Sequence, residues 1–186
     1  MINRRLSEYL ENNKKLAEIQ CGFRRHRSTI DHLVRFDTYI RKAFADGRRI
    51  VAVFFDLEKA YDMAWRYGIM KDLAGAGLKG RLPLFIQDFL RDRSFQVKIG
   101  ESMSSTKYQL TGVPQGSTLS VTLFAMKINS LANVIPSDVF SSLFVDDVLI
   151  ACSEHNPAVI ERKLQALSIG FHGGQNLRDF VSHRQR

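Results

Sequence analysis

Cysteine is scarce in this chain of 186 residues. The two present, Cys21 and Cys152, form neither a CxxC pair nor a disulfide framework, and lone thiols of this kind fit a reducing, intracellular compartment. No apolar run reaches the length of about 18 residues that a membrane-spanning helix requires. Met1 to Arg5 is polar and basic with no apolar stretch behind it, so no secretory signal is visible. Internal repeats and low-complexity segments are absent, and nothing separates a nuclear from a cytoplasmic location. Acidic residues are outnumbered, 19 against 27 Lys and Arg, for a net charge of +8. The remainder is ordinary globular composition, 45% hydrophobic and 25% charged. The length suits one domain or a piece of a larger one.

The positive charge is unevenly placed. Residues 1–49 hold 12 Lys and Arg against 6 Asp and Glu, whereas residues 50–186 hold 15 against 13. A basic arm beside a nearly neutral body suits a polyanionic partner, because Lys and Arg that meet phosphates release counterions. A solvated basic surface has the same composition.

Periodicity predicts a polar amphipathic helix over residues 3–18, then a basic loop, Gln20-Cys21-Gly22-Phe23-Arg24-Arg25-His26-Arg27. Ser28 with Asp31 three residues on predicts a capping-box start for a helix that Gly47 closes. Ile50 to Phe55 is a continuous apolar run that fits a strand buried on both faces, ending at Asp56. Lys59 to Ala74 and Arg81 to Leu90 are predicted helices, the second with Pro83 in its first turn. Phe95 to Ile99 and Lys107 to Leu110 are expected to pair as strands. Ser117 to Leu131 is a largely apolar helix. Val139 to Val145 and Val148 to Cys152 form a hairpin with Asp146 and Asp147 at its tip, and Asn156-Pro157 opens a helix to Leu167. The expected fold is α+β, a small mostly antiparallel sheet covered by helices. Residues 168–186 lose the periodicity and read as an atypical tail, consistent with a shifted reading frame.

The chemistry concentrates in three aspartates at element ends, Asp56, Asp146 and Asp147. Burying acidic side chains there is costly without a cation. Neighbouring strands would bring the three together across 90 positions of sequence, and hard oxygen ligands of this kind suit Mg²⁺. Paired ions can activate a hydroxyl and stabilise a leaving oxygen. An Asp after an apolar strand, or an Asp-Asp pair in a hairpin, also serves simply as a turn residue or a helix cap.

Taken together, the segments resemble the reverse transcriptases of non-LTR, jockey-like retrotransposons. Phe54-Phe55-Asp56-Leu57-Glu58-Lys59-Ala60-Tyr61-Asp62 is similar to motif A of that family. Leu110-Thr111-Gly112-Val113-Pro114-Gln115-Gly116-Ser117 is similar to motif B, and Leu143-Phe144-Val145-Asp146-Asp147 to motif C. Gln20-Cys21-Gly22-Phe23-Arg24, with Arg27-Ser28-Thr29 and Asp31-His32-Leu33, resembles the block that precedes motif A. The resemblance covers about residues 1–167. It implies a polymerase palm with a ferredoxin-like sheet over residues 50–167 and part of the fingers over 1–49. Asp56 and Asp146 would hold two Mg²⁺ ions, or Mn²⁺ in their place, with Asp147 as the weaker third carboxylate and the Leu57 carbonyl as a further ligand. Tyr61 matches the steric gate against a ribose 2′-OH. Gln115 and Gly116 would lie along the incoming nucleotide, where glycine permits close backbone approach. Arg24, Arg25 and Arg27 are candidate contacts to template phosphates, by their chemistry more than by motif.

The implied partners are an RNA template, a DNA primer and a dNTP, and no membrane. The valine before the acidic pair of motif C, where these elements more often carry alanine, is a conservative departure. The family's Arg-Pro-Ile fingers motif and its Trp-containing helix after the palm have no counterpart here, so weak or undetectable polymerisation is expected of this chain by itself. Two other readings stand beside it. One is a catalytically incompetent fragment that at most binds nucleic acid. The other is a viral RNA-dependent RNA polymerase palm, against which Tyr61 argues.

Overall fold

The computed structural model describes residues 1–57 and 59–173, with side chains as far as Leu167. In chain order the elements are α1 (Ile2–Asn12), α2 (Thr29–Ala45), β1 (Arg49–Phe55), α3 (Ala60–Met63), α4 (Arg66–Gly75), α5 (Arg81–Leu90), β2 (Arg93–Phe95), β3 (Lys98–Ile99), β4 (Ser102–Met103), β5 (Lys107–Gln109), α6 (Thr118–Ile128), a 3-10 turn (Asn129–Asn133), β6 (Phe140–Phe144), β7 (Asp147–Glu154) and α7 (Pro157–Gly173). The antiparallel sheet has the order β1-β7-β6. The α+β expectation therefore holds.

The central strand β7 explains how the sheet is covered. Val148 to Cys152 are all buried, the pattern of a strand packed on both faces. Val148, Ile150 and Cys152, with Leu143 of β6, join the main core. There they meet Leu6 and Leu10 of α1, Ile69 and Leu73 of α4, Leu123, Phe124 and Ile128 of α6, and Ile160 of α7. Helix α2 covers the other face. Its Phe36 meets Phe54 edge-on at 6.2 Å between ring centroids, and its Tyr39 stacks on Phe140 at 4.8 Å.

Several elements depart from the sequence expectation. The strand expected to be buried on both faces is β7 and not β1. β1 lies at the sheet edge, and its Phe54 remains 69% exposed. Helix α1 stops at Asn12 and not at residue 18. Asn13 caps it, its Nδ2 donating to the Tyr9 carbonyl at 2.8 Å, and Asn129 then captures the Lys15 carbonyl and the Ala17 amide, turning the chain away.

The helix expected over 59–74 breaks into α3 and α4 at Ala64-Trp65. The segment after β5 takes up the carbonyls where the helix would continue. Val113 N–H donates to Tyr61 (2.8 Å), Gly112 N–H to Ala64 (2.8 Å) and Thr111 Oγ1 to Asp62 (3.0 Å). The expected 95–99 with 107–110 pairing is split: β2 pairs β5, while β3 and β4 form a separate small hairpin. The helix expected over 117–131 tightens into the 3-10 turn after Ile128. Helix α7 continues past Leu167 to Gly173, so the loss of pattern expected at that point does not end it. Residues 174–186 of the expected tail lie outside the described residues. Ser28 does close the capping box with Asp31, and α5 has the predicted bounds.

Candidate active site

The β1–β7 register pairs Phe55 with Val148, so Asp56, one residue beyond β1, comes level with Asp147. On the other side Phe144 pairs with Asp147, which makes Val145 and Asp146 a two-residue hairpin loop. All three aspartates thus lie at one end of the sheet, on three adjoining chain segments. Asp56 and Asp147 are exposed and Asp146 is half-buried. Val145 has φ +63°, the left-handed region that a β-branched residue enters only under strain.

The electrostatics follow from this proximity. Burial pushes the Asp146 carboxyl above the usual carboxylate range. Its backbone hydrogen bond pulls the value back, while the charges of Asp147 and Asp56 raise it further. The Tyr61 hydroxyl is raised by burial first and by the Asp146 charge second, so α3 stands over the same rim. Burial lowers the His32 imidazole, the Arg35 charge adds to this, and Asp147 opposes both. A cleft of about 470 Å³ opens here between α2 and the sheet, bordered by Thr29, His32, Phe54, Asp56 and Asp147. Among the described residues no three His, Cys, Asp or Glu side chains converge as a ready ligand set. The aspartates share a rim without closing on a point.

The other expected residues are placed as follows. Tyr61 is half-buried and stacks on Phe124 at 4.7 Å with the rings 13° apart. The Leu57 carbonyl accepts from Ala60 N–H at 3.2 Å, leaving its second lone pair for another donor or ligand. Gln115 is exposed, and its Nε2 donates to Asp62 Oδ1 at 3.2 Å. Gly116 takes φ +85° with open space where a Cβ would stand.

The three loop arginines differ from one another. Arg24 is inward: Nε and Nη2 form a bidentate pair with Glu11 (2.7 and 2.6 Å), and Nη1 donates to the carbonyls of Ala17 and Gln20. Arg27 donates to the carbonyl and the carboxylate of Glu18. Arg25 is the exposed one, 4.0 Å from Glu8.

Arg66 has no place in the sequence reading, and Gly112 stands there only as a member of motif B. Arg66 donates to the carbonyls of Gly112 (2.8 Å) and Thr111 (3.1 Å). Gly112, at φ +80°, leaves no room for a side chain, because a Cβ would stand 2.5 Å from the Asp62 carbonyl oxygen. Together they fasten the Gln115 loop to the end of α3. The glycine was a visible signal, but its partner 50 positions earlier was not. Gln20, read in sequence only as part of the block before motif A, lies beside Val145 and accepts its N–H.

A helix-backed antiparallel sheet with acids at the end of its central hairpin is the palm-type polymerase fold. Solved structures agree: a telomerase of Candida tropicalis, in complex with a fragment of telomeric RNA, superposes with a TM-score of 0.70 at 14% identity, over 96% of this chain and 31% of that one. A telomerase of Candida albicans gives a TM-score of 0.67 at 14% identity, over 97% and 33%.

Within that class, residues 1–170 match the reverse transcriptase (RNA-dependent DNA polymerase) family, and the chain belongs to it. It is 33% identical over 129 residues to a probable RNA-directed DNA polymerase from transposon BS of Drosophila melanogaster, covering 68% of this chain and 14% of that protein. It is 29% identical over 168 residues to the RNA-directed DNA polymerase from mobile element jockey of the same species, covering 90% and 18%. The jockey-like relationship carried by the motifs is thereby borne out. The chain spans less than a fifth of the length of these two relatives. No helix among the described residues is long and apolar enough to cross a membrane.

Proposed function

We propose that residues 50–167 are the palm, and residues 1–49 part of the fingers, of an RNA-directed DNA polymerase, which extends a DNA primer on an RNA template by adding dNTPs to the 3′-OH. The observation that carries the reading is the antiparallel register that sets Asp56 level with Asp147, with Asp146 in the adjoining turn. The donor set fits divalent cations: three hard carboxylates, one of them half-buried and raised by burial first and by its neighbours' charge, together with a carbonyl at Leu57. When bound, Mg²⁺ or Mn²⁺ supplies Lewis-acid activation of the hydroxyl and neutralises phosphate charge.

The protein's own contribution is positioning. Asp56 and Asp146 would hold the ions, with Asp147 as a weaker third carboxylate. The ring of Tyr61, held against Phe124, occupies the space a ribose 2′-OH would need and favours deoxynucleotides. Gln115, oriented by Asp62, and the open backbone at Gly116 line the approach of the nucleotide base. Of the three loop arginines, Arg25 has the exposed guanidinium suited to a template phosphate. Arg24 and Arg27 shape the loop that presents it, and reach phosphate only by leaving Glu11 and Glu18.

The test is single-turnover extension of oligo(dT) on poly(rA), with protein in excess, in Mg²⁺ or Mn²⁺. The expected result is slow, dTTP-dependent extension that Asp146→Ala abolishes. A second reading, binding of nucleic acid without polymerisation, is favoured by the open arrangement of the three carboxylates. It predicts retention of the template–primer on a filter that is indifferent to dTTP and to Asp56→Asn.

A further inference from the structure

Residues Ile19 to Gly22 take no part in the chemistry proposed above, yet they lie against the aspartate hairpin. The segment runs parallel to the outer edge of β6: Cys21 N–H donates to the Leu143 carbonyl and Leu143 N–H to that of Ile19, both at 2.8 Å. The Gln20 side chain is fully buried. Its Oε1 accepts two backbone N–H groups, that of Gly22 at 2.8 Å and that of Val145 at 3.2 Å. Gly22 meets the turn directly, since a Cβ there would stand 2.5 Å from Val145 Cγ2 and 2.6 Å from Val145 N. Arg24 fastens the loop from behind, on Glu11 and on the Gln20 carbonyl.

Two features show what this arrangement is for. Val145 is β-branched and holds φ +63°, a conformation that persists only where the surroundings over-determine it. Among the described residues Gln20 Nε2 is buried without a hydrogen-bond partner, and an orphaned amide donor is costly. The two N–H donors facing Oε1 rule out the flipped amide. Gln20 is thus a poor choice for stability alone and a good one for holding the Val145 N–H in place, and the next residue is Asp146.

We infer that Gln20, seated against Gly22, is a positioning residue that locks the strained Val145–Asp146 turn and so sets the Asp146 carboxylate where the cation-binding groups assemble. The last clause rests on the function proposed above; the clamp itself does not.

The experiment compares wild type with Gln20→Leu, Gln20→Glu, Val145→Gly and the Gln20→Leu/Val145→Gly pair. It reads amide hydrogen exchange at Val145 and Asp146 without metal, Mn²⁺ affinity by titration, and urea stability. In Gln20→Leu, Val145 exchange should accelerate about tenfold or more, and Mn²⁺ affinity should fall about tenfold, as for lost partners of a metal ligand. Gln20→Glu keeps the acceptor and should keep the protection. Glycine at 145 removes the strain, so in that background Gln20→Leu should cost markedly less Mn²⁺ affinity. Gln20→Met, closer in shape, serves the same comparison if the leucine variant does not fold.

Unchanged Val145 protection in Gln20→Leu would overturn the inference. So would a Mn²⁺ loss no larger than that of a stability-matched core variant such as Ile160→Val. Accelerated exchange in a protein whose wild type binds no Mn²⁺ would uphold the clamp and refute the cation reading instead.

Discussion

Replacing Asp146 by Asn removes a charge while keeping the shape, and it should push stability in opposite directions with and without divalent cation. Without metal, the Asp146 carboxylate is disfavoured by burial and by the charges of Asp147 and Asp56. Neighbouring like charges screened by an effective dielectric of about 40–80 repel by roughly 1 kcal/mol. Because the site is partly solvated, a net relief of about 1 kcal/mol is the reasonable figure. For a chain of this size that raises Tm by about 2–4 °C.

The sign follows from linkage. The native value of Asp146 lies above its unfolded value of 3.8, so the native state binds more protons in that window. Wild-type stability then falls as pH rises through it. The gain of the Asn variant should be full at pH 7, vanish below about pH 4, and shrink in 0.5 M NaCl. With 10 mM Mg²⁺ and a dissociation constant of about 1 mM, wild type gains about 1.4 kcal/mol, or about 3–6 °C, and the variant little. The order of melting temperatures should therefore invert on adding Mg²⁺, read by circular dichroism at low salt. An Asn variant less stable than wild type in EDTA at pH 7, or an equal Mg²⁺ shift in both, would refute the reasoning.

Three further outcomes are expected. Tyr61→Ala should lower the preference for dTTP over UTP in primer extension by about tenfold or more, since the discrimination rests on steric exclusion; an unchanged ratio would remove Tyr61 from the gate. Gly112→Ala meets both a left-handed φ and a backbone contact, and should cost about 3 kcal/mol or more in urea unfolding, with dTTP-dependent extension falling as the Gln115 loop detaches. Arg24→Ala should cost about 2 kcal/mol at pH 7 through loss of the charged pair with Glu11. The Arg24 hydrogen bond is the main cause that holds the Glu11 carboxyl below 4.5, against its desolvation, so that stabilisation is present above pH 4.5 and lost as pH falls through the depressed value. The wild-type advantage over Arg24→Ala should close in that range, and a pH-independent difference would mean that Arg24 acts through packing alone.

Much of the chain could be read without coordinates. The capping box at Ser28 and Asp31, the bounds of α5 and the β6–β7 hairpin depend on neighbours within a few residues, and local pattern carries that information. The break between α3 and α4 was not readable. The residues that take up the carbonyls of Tyr61, Asp62 and Ala64 come about 50 positions later, and no periodicity within 59–74 records them. The three loop arginines read alike in sequence, yet one is locked on Glu11, one on Glu18 and one exposed.

The sequence alone determined which groups carry the chemistry, because charge, an aromatic ring and the absence of a side chain are properties of residue type. It also determined the family, through four blocks in order. Only the tertiary structure decided which strand is central, which arginine faces solvent, and that Gln20 grips the turn bearing Asp146. These outcomes depend on register, burial and unpaired backbone groups, which exist only once segments far apart in the chain have packed.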